Sequence, residues 1–197
     1  DCLRYLFSLT GKRLYISSLS VAQLISVYQK TGNHDATLAK SYTQEEFDHR
    51  LSELKRLLEG LKKDRGISIK LLVPEYRYDE YIKDLKPYAM EREGLTRCQI
   101  CYRKRMADAY DYAEANDYDY FTTVMTISRQ KDSQIMNLIG QELEKSHPHC
   151  KYFYSDFKKD NGILKGKEIR LYYDLYNQNY CGCEFSQAAS QCRSAGQ

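Results

Sequence analysis

Residues 119–128, DYFTTVMTIS, decide the fold. β-branched and aromatic side chains dominate this stretch, which is the composition of a buried strand. Helical patterns flank it on both sides. Upstream, a helix is predicted from about Cys98 to Asn116. Downstream, Asp132 or Ser133 caps a helix whose apolar stripe is Ile135, Leu138, Ile139 and Leu143. Further out, ISIKLLV at 67–73 is a predicted strand closed by Pro74, and KYFYSDF at 151–157 is another. Thr43-Gln44-Glu45-Glu46 is a capping box. Phe47, Leu51, Leu54, Leu57, Leu58 and Leu61 then form one apolar stripe that stops near Gly66. Shorter signals predict a strand at Leu14–Ile16, and helices at Val21–Lys30, Tyr78–Leu85 and about Lys167–Tyr176. Alternating strands and helices predict an α/β fold of Rossmann-like, three-layer type, with a mainly parallel sheet and flanking helices. One domain is expected over 1–187, with 188–197 a disordered polar tail. Ligands of such sheets gather at the carboxyl ends of the strands, so the loops after Ser128 and Phe157 are expected site walls.

Composition narrows the function classes. The chain has 197 residues, 42% apolar and 29% charged, with 10 Gly and 3 Pro, which excludes collagen-like and disordered readings. No stretch approaches a membrane span and no basic-then-apolar leader opens the sequence, so the expected location is the cytoplasm. A net charge of +3 permits a polyanionic partner without demanding one. Nineteen Tyr and no Trp suit boundary packing, and equally a wall on which bases stack. Dinucleotide-binding, Walker, zinc-protease and nucleophile-elbow motifs are absent.

Seven cysteines are present, and four fall into two tight pairs, Cys98-Gln99-Ile100-Cys101 and Cys181-Gly182-Cys183. In a reducing compartment such pairs point to metal or redox chemistry. At a helix start, Cys98 and Cys101 share one face, where the helix N-terminus favours thiolate. That spacing supplies half of a tetrathiolate zinc site, half of an iron–sulfur site, a dithiol, or simply two unliganded helix cysteines. Arg97, Arg103, Lys104 and Arg105 surround the pair, fit to balance thiolate charge, to meet phosphate, or to form a solvated face. Cys181 and Cys183 can close a disulfide only in a small strained ring that Gly182 relaxes, which suits a cycling redox pair. Two ligands to one metal, and an inert pair, are the other readings. Cys150 opens a strand and is expected in the core. Cys2 and Cys192 have no partner at motif spacing. His147-Pro148-His149 is expected as a surface turn, and none of the four histidines is grouped with a carboxylate or a cysteine pair.

Five blocks carry a family resemblance: Glu45-Glu46-Phe47-Asp48-His49-Arg50-Leu51, Arg97-Cys98-Gln99-Ile100-Cys101-Tyr102-Arg103, Tyr118-Asp119-Tyr120-Phe121-Thr122-Thr123, Ser155-Asp156-Phe157-Lys158-Lys159 and Tyr176-Asn177-Gln178-Asn179-Tyr180-Cys181-Gly182-Cys183-Glu184-Phe185-Ser186. In this order, from about Glu45 to Gln187, the sequence resembles the QueH-type epoxyqueuosine reductases. The resemblance implies reduction of epoxyqueuosine to queuosine at the wobble position of a tRNA anticodon. It implies a [4Fe–4S] cluster with Cys98 and Cys101 as two of its ligands, an additional iron, and Cys181 and Cys183 as the redox-active pair. The implied partners are tRNA carrying epoxyqueuosine and an electron donor, with no membrane. On that reading Tyr120, Thr122, Thr123 and Ser128 are candidate substrate contacts, and Arg103, Lys158 and Lys159 candidate contacts to tRNA phosphate.

Residues 1–44 depart from the pattern. The family's Cys-Cys-Ala-Pro segment, which provides the other cluster ligands, is not found, and Cys2 is followed by Leu3-Arg4. The abrupt edge points to a truncated or frame-shifted segment over a divergent one, and to a sheet without its first strand. Two readings of another class stand beside the reductase. One is a structural zinc site of Cys98, Cys101, Cys181 and Cys183 in a module that binds tRNA or protein; the other is a relative that keeps the fold without a metal.

Overall fold

The computed structural model describes residues 13–19, 34–38, 43–66 and 68–188. Five strands form one parallel sheet: β1 (Leu14–Leu19), β2 (His34–Leu38), β3 (Leu71–Leu72), β4 (Tyr120–Thr123) and β5 (Lys151–Tyr152). Their order is β3-β2-β1-β4-β5, the arrangement expected of a doubly wound sheet. The middle position, where the sequence leaves room for a lost strand, is taken by β1. It pairs Leu14 with Tyr120, Tyr15 with Phe121 and Ile16 with Thr122. The strand order reverses between β1 and β4, the point at which sheets of this kind place their ligand crevice.

Alternation along β1 builds the three layers. Leu14 and Ile16 face one side, packing with Phe47, Leu54, Leu57 and Leu61 of α1 (Gln44–Arg65) and with Phe157 and Ile169. Tyr15 faces the other, packing with Met106, Ala109 and Tyr110 of α3 (Thr96–Ala115), whose predecessor is the short α2 (Tyr78–Ile82). Met136 and Ile139 of α4 (Ser133–Glu144) complete that side. A last helix, α5 (Gly162–Tyr172), covers the α1 side through Ile169.

Local chemistry sets the boundaries. Thr43 Oγ1 accepts from the Glu46 amide at 3.2 Å to open α1, and Gly66 closes it at φ 65°, a left-handed turn that glycine adopts without strain. Strands are shorter than predicted because side chains compete for the backbone. Thr123 Oγ1 accepts from the Met125 amide and turns the predicted strand into a 3-10 helix over Val124–Ile127. Asn137 takes both the amide and the carbonyl of Ser155, so β5 ends at Tyr152. Of the stretch expected as strand at 67–73, only Leu71–Leu72 pairs, and Ile67 lies outside the described residues. α5 begins earlier than expected and stops before Asp174, which adopts φ 46°. On α4 the buried face is Met136, Asn137, Ile139 and Gly140; Leu138 is exposed, contrary to the stripe read from spacing. The predicted helix at Val21–Lys30 lies outside the described residues, as does 189–197 of the expected tail.

His147 is another correction. It is buried, not part of a surface turn, and a carboxylate does face it: its Nε2 is 2.9 Å from Asp111 Oδ1 and its Nδ1 2.6 Å from Leu143 O. The ring stacks on Tyr110 at 4.1 Å. Cys150 is buried as expected. No helix among the described residues is long and apolar enough to cross a membrane.

Candidate active site

A helix that precedes a parallel strand runs antiparallel to it, so the first turn of α3 lies at the carboxyl edge of the sheet. That turn carries Cys98 and Cys101. Its amides lack helical partners, and the Arg97 amide is capped by Glu91 Oε2 at 2.9 Å. The Arg97 guanidinium is buried. It donates to the carbonyls of Tyr88, Ala89 and Glu91, and its plane lies 4.7 Å from the Phe185 ring. One arginine thus binds the loop before α3 to the helical turn over 184–188.

The second cysteine pair arrives along α1. Arg56 donates to the carbonyls of Tyr173 and Asp174, and Glu53 accepts from the Tyr176 amide at 2.7 Å. Tyr176 Oη reaches Glu46, and the Arg50 guanidinium stands 5.1 Å from the Tyr180 ring. These contacts carry the strap 173–180 to the carboxyl edge, where Cys181-Gly182-Cys183 meets α3. Gly182 sits at φ 111°, a backbone position that a side chain would strain.

Four sulfurs therefore line one small cleft of ≈20 Å³, with Arg105 and Lys131 beside them. That volume holds about one water molecule. Cys181 Sγ and Cys183 Sγ are 3.6 Å apart as free thiols, and Ser186 Oγ lies 3.1 Å from Cys181 Sγ. The thiol of Cys183 donates toward Cys181 and holds it well below the ordinary thiol range. Burial opposes that shift, and Lys131, Ser186 and Arg105 reinforce it. Cys183, as the donor, is pushed up. Burial likewise raises Cys98. Tyr81 Oη approaches Cys101 Sγ at 2.9 Å and Cys101 O at 2.8 Å, while Lys104 ties Tyr81 O and Asp84 to α3.

The donor set can be tested against the implied group. Two thiols three residues apart on one helical turn, with cationic neighbours, match half the soft sulfur ligation of an iron–sulfur centre. Among the described residues no group of three or more Cys, His, Asp or Glu side chains is placed to share one metal ion. Cys2 and Cys192 lie outside those residues.

The remaining candidates scatter. Thr122 and Thr123 are fully buried. Thr122 Oγ1 donates to Phe153 O and pairs with Ser155 Oγ, and Thr123 caps its 3-10 turn, so both hydroxyls serve the fold and neither lines the cysteine cleft. Tyr120 packs on the α1 core, and Ser128 Oγ accepts from the Gln130 amide. Arg103 is paired with Glu142 across α3 and α4. Lys158 donates to Lys131 O, and Lys159 is exposed. Tyr81, Lys131 and Ser186 are absent from the candidates read from sequence. Lys131 lies in the loop after β4 that topology marks as a site wall; the other two carry no spacing signal.

A family model described as "Epoxyqueuosine reductase QueH" matches residues 39–189. The chain is 31% identical over 145 residues to the epoxyqueuosine reductase QueH of Streptococcus pyogenes, covering 74% of this chain and 56% of that protein. It is 29% identical over 147 residues to the enzyme of that name from Staphylococcus aureus, covering 74% and 61%. For the Thermotoga maritima protein of that name the values are 28% over 140 residues, 69% and 72%. The chain spans less than two thirds of the length of the first two.

Proposed function

The chain belongs to the QueH family of epoxyqueuosine reductases, and on that premise we propose that it reduces epoxyqueuosine to queuosine in the wobble position of a tRNA anticodon, in the cytoplasm. The observation that carries the reading is the convergence of Cys98, Cys101, Cys181 and Cys183 on one cleft from segments eighty residues apart.

The chemistry follows from the functional groups. Converting an epoxide to an alkene breaks two C–O bonds and releases the oxygen as water, consuming two electrons and two protons. The thiolate–thiol pair supplies both electrons and one of the protons: Cys181 and Cys183 become a disulfide as Cys183 gives up its proton, the second proton comes from solvent, and an external donor restores the pair. Cys181, with its lowered affinity for a proton, is the nucleophilic partner, and Cys183 holds the proton to be given up. Ser186 keeps the two sulfurs in contact, and Gly182 allows the turn. Cys98 and Cys101 would hold the iron–sulfur cluster, with an additional iron beside it; when bound, such a centre supplies single electrons and Lewis acidity. Arg105 and Lys131 offset the negative charge of thiolates in the cleft.

Anaerobic purification and reconstitution test this reading. Iron and acid-labile sulfide in equal amounts are expected, with broad visible absorption that bleaches on reduction, and turnover of epoxyqueuosine-containing tRNA that Cys183→Ala abolishes. Colourless protein with one zinc per chain and no turnover would overturn it in favour of a structural zinc–thiolate site.

A further inference from the structure

The sulfur-lined cleft, at ≈20 Å³, has room for one oxygen atom and none for a ring. Tyr102 forms part of its wall, one turn along α3 from Cys98. The residue is 5% exposed, and its hydroxyl has no hydrogen-bond partner among the described residues. Burial first, then the Cys98, Cys101 and Cys181 sulfurs, push the pKa of that hydroxyl up, so it stands within electrostatic reach of three of the four thiols. A buried donor without an acceptor costs stability, and in a reactive cleft the acceptor it lacks is one that a ligand brings.

Charge decides which oxygen. Arg97, Arg105 and Lys131 line the cleft, and Glu93 is the one carboxylate on its wall among the described residues. Arg97 is engaged with three carbonyls, and Arg105 faces Tyr81 and the sulfurs. The Lys131 ammonium makes no hydrogen bond or ion pair with the described residues, and its charge bears on Cys181. A cation and an unpartnered hydroxyl around so small a space favour an oxygen that gains negative charge. An epoxide oxygen gains it while its C–O bonds break.

We propose that Tyr102 and Lys131 form an oxyanion site: the hydroxyl and the ammonium both donate to the substrate oxygen as it leaves carbon. The proposal rests on the reductase reading for the identity of that oxygen. The ring stays at the mouth of the cleft and the epoxide oxygen alone enters. As the first C–O bond breaks, negative charge gathers on the oxygen between the two donors. As the second breaks, a carbon–carbon double bond forms and the oxygen departs as water, with one proton from Cys183 and one from solvent. The two electrons come from Cys181 and Cys183, whose sulfurs join as a disulfide. Donors in place before the charge develops stabilise it without reorganisation.

The first test needs neither tRNA nor iron, and its probe is hydrogen peroxide on the reduced full chain. The Cys181 thiolate attacks one oxygen, the O–O bond breaks, and the departing oxygen carries the charge until a solvent proton makes it water. The sulfenic acid left on Cys181 then condenses with the Cys183 thiol to a disulfide and a second water. Iodoacetamide is the control, because its leaving group is iodide. Tyr102→Phe should slow peroxide oxidation about tenfold, with alkylation and Tm unmoved. Lys131→Met should lower the ratio of the two rates, and Lys131→Arg should restore it. An unchanged ratio in Tyr102→Phe, or a fall in its Tm, would overturn the proposal. The second test uses reconstituted enzyme and epoxyqueuosine-containing tRNA, where Tyr102→Phe should lower kcat about a hundredfold with KM unmoved. Wild-type turnover with kcat unmoved in Tyr102→Phe removes the oxyanion site alone. A peroxide ratio that responds to Tyr102→Phe, without any wild-type turnover of tRNA, removes the reductase and leaves the oxygen site.

Discussion

The Arg50 guanidinium lies 5.1 Å from the Tyr180 ring centroid and donates through Nε to Glu46 at 2.6 Å, so the residue before Cys181 is clamped to the second turn of α1. Arg50 is only 5% exposed, and its two Nη atoms have no hydrogen-bond partner among the described residues. It does more than complete an ion pair: it is the floor on which the cysteine strap rests. Arg50→Met strands the Glu46 carboxylate and loosens Tyr180. Urea denaturation should show a loss of about 2–3 kcal/mol. Alkylation of Cys181 should also become faster, a change that an ion pair remote from the strap would not produce.

Cys181 should react at acid pH. Because Cys183 donates to it, Cys181 remains thiolate below the ordinary thiol range, and iodoacetamide should label it at pH 6 well before Cys98, which burial pushes the other way. Cys183→Ala removes the donor, so the labelling midpoint of Cys181 moves up toward that of a free thiol. Mass spectrometry across pH 5–9 reads both positions. A midpoint indifferent to Cys183→Ala would leave Lys131 and Arg105 as the operative groups.

Stability should fall in acid through Glu53. Its hydrogen bond with Arg56 holds its carboxyl below the ordinary value of 4.5 against the opposing effect of burial. A group with a depressed folded-state pKa contributes stability above its unfolded value and loses it as pH falls through the folded one. The contribution is therefore complete at neutral pH and declines below about pH 4.5. Glu53→Gln should flatten that part of the stability profile and leave neutral-pH thiol labelling slightly faster, since the strap is anchored there.

Thr122 separates structure from substrate contact. Thr122→Val deletes hydrogen bonds to Phe153 O and Ser155 Oγ inside the sheet, which should cost about 1–2 kcal/mol, with KM for tRNA unchanged. Asn137→Ala, which orphans the Ser155 amide and carbonyl, should cost about 3 kcal/mol.

Gly140 offers a packing test. Alanine normally improves a helix by about 1 kcal/mol over glycine. At this position a Cβ would collide with the Tyr152 ring, which is held by a hydrogen bond to Asn137. Gly140→Ala should therefore destabilise, by about 1–2 kcal/mol, and the double variant with Tyr152→Leu should recover most of the loss by thermal melting.

The limits of α1 were legible because they depend on local rules: the Thr43 cap, the Gly66 stop and the Leu54–Leu57–Leu61 face all read directly from spacing, whereas those of α5 did not. Strand ends were not. Whether Ser155 pairs with a neighbouring strand or with Asn137 depends on a side chain eighteen residues away, and no period records it. The site divides the same way. Cys98 and Cys101 stand out through their helical spacing, whereas Tyr81 and Lys131 reach the cleft only through the packing of α2 and the loop after β4. Sequence alone does not place Thr122, because a strand-end hydroxyl looks alike whether it faces a ligand or, as its bonds to Phe153 O and Ser155 Oγ show, the neighbouring strand.

The cleft also has a history in time. Cys101 leaves the ribosome eighty residues ahead of Cys181. At ordinary translation rates of 5–20 residues per second, that is a wait on the order of 4–16 s. Through that interval the α3 pair is made but unshielded, open to oxidants and to stray metal. The cell therefore has a brief window in which loading the first pair, or keeping it reduced, competes with damage, and the arrival of Gly182 and its flanking cysteines closes it.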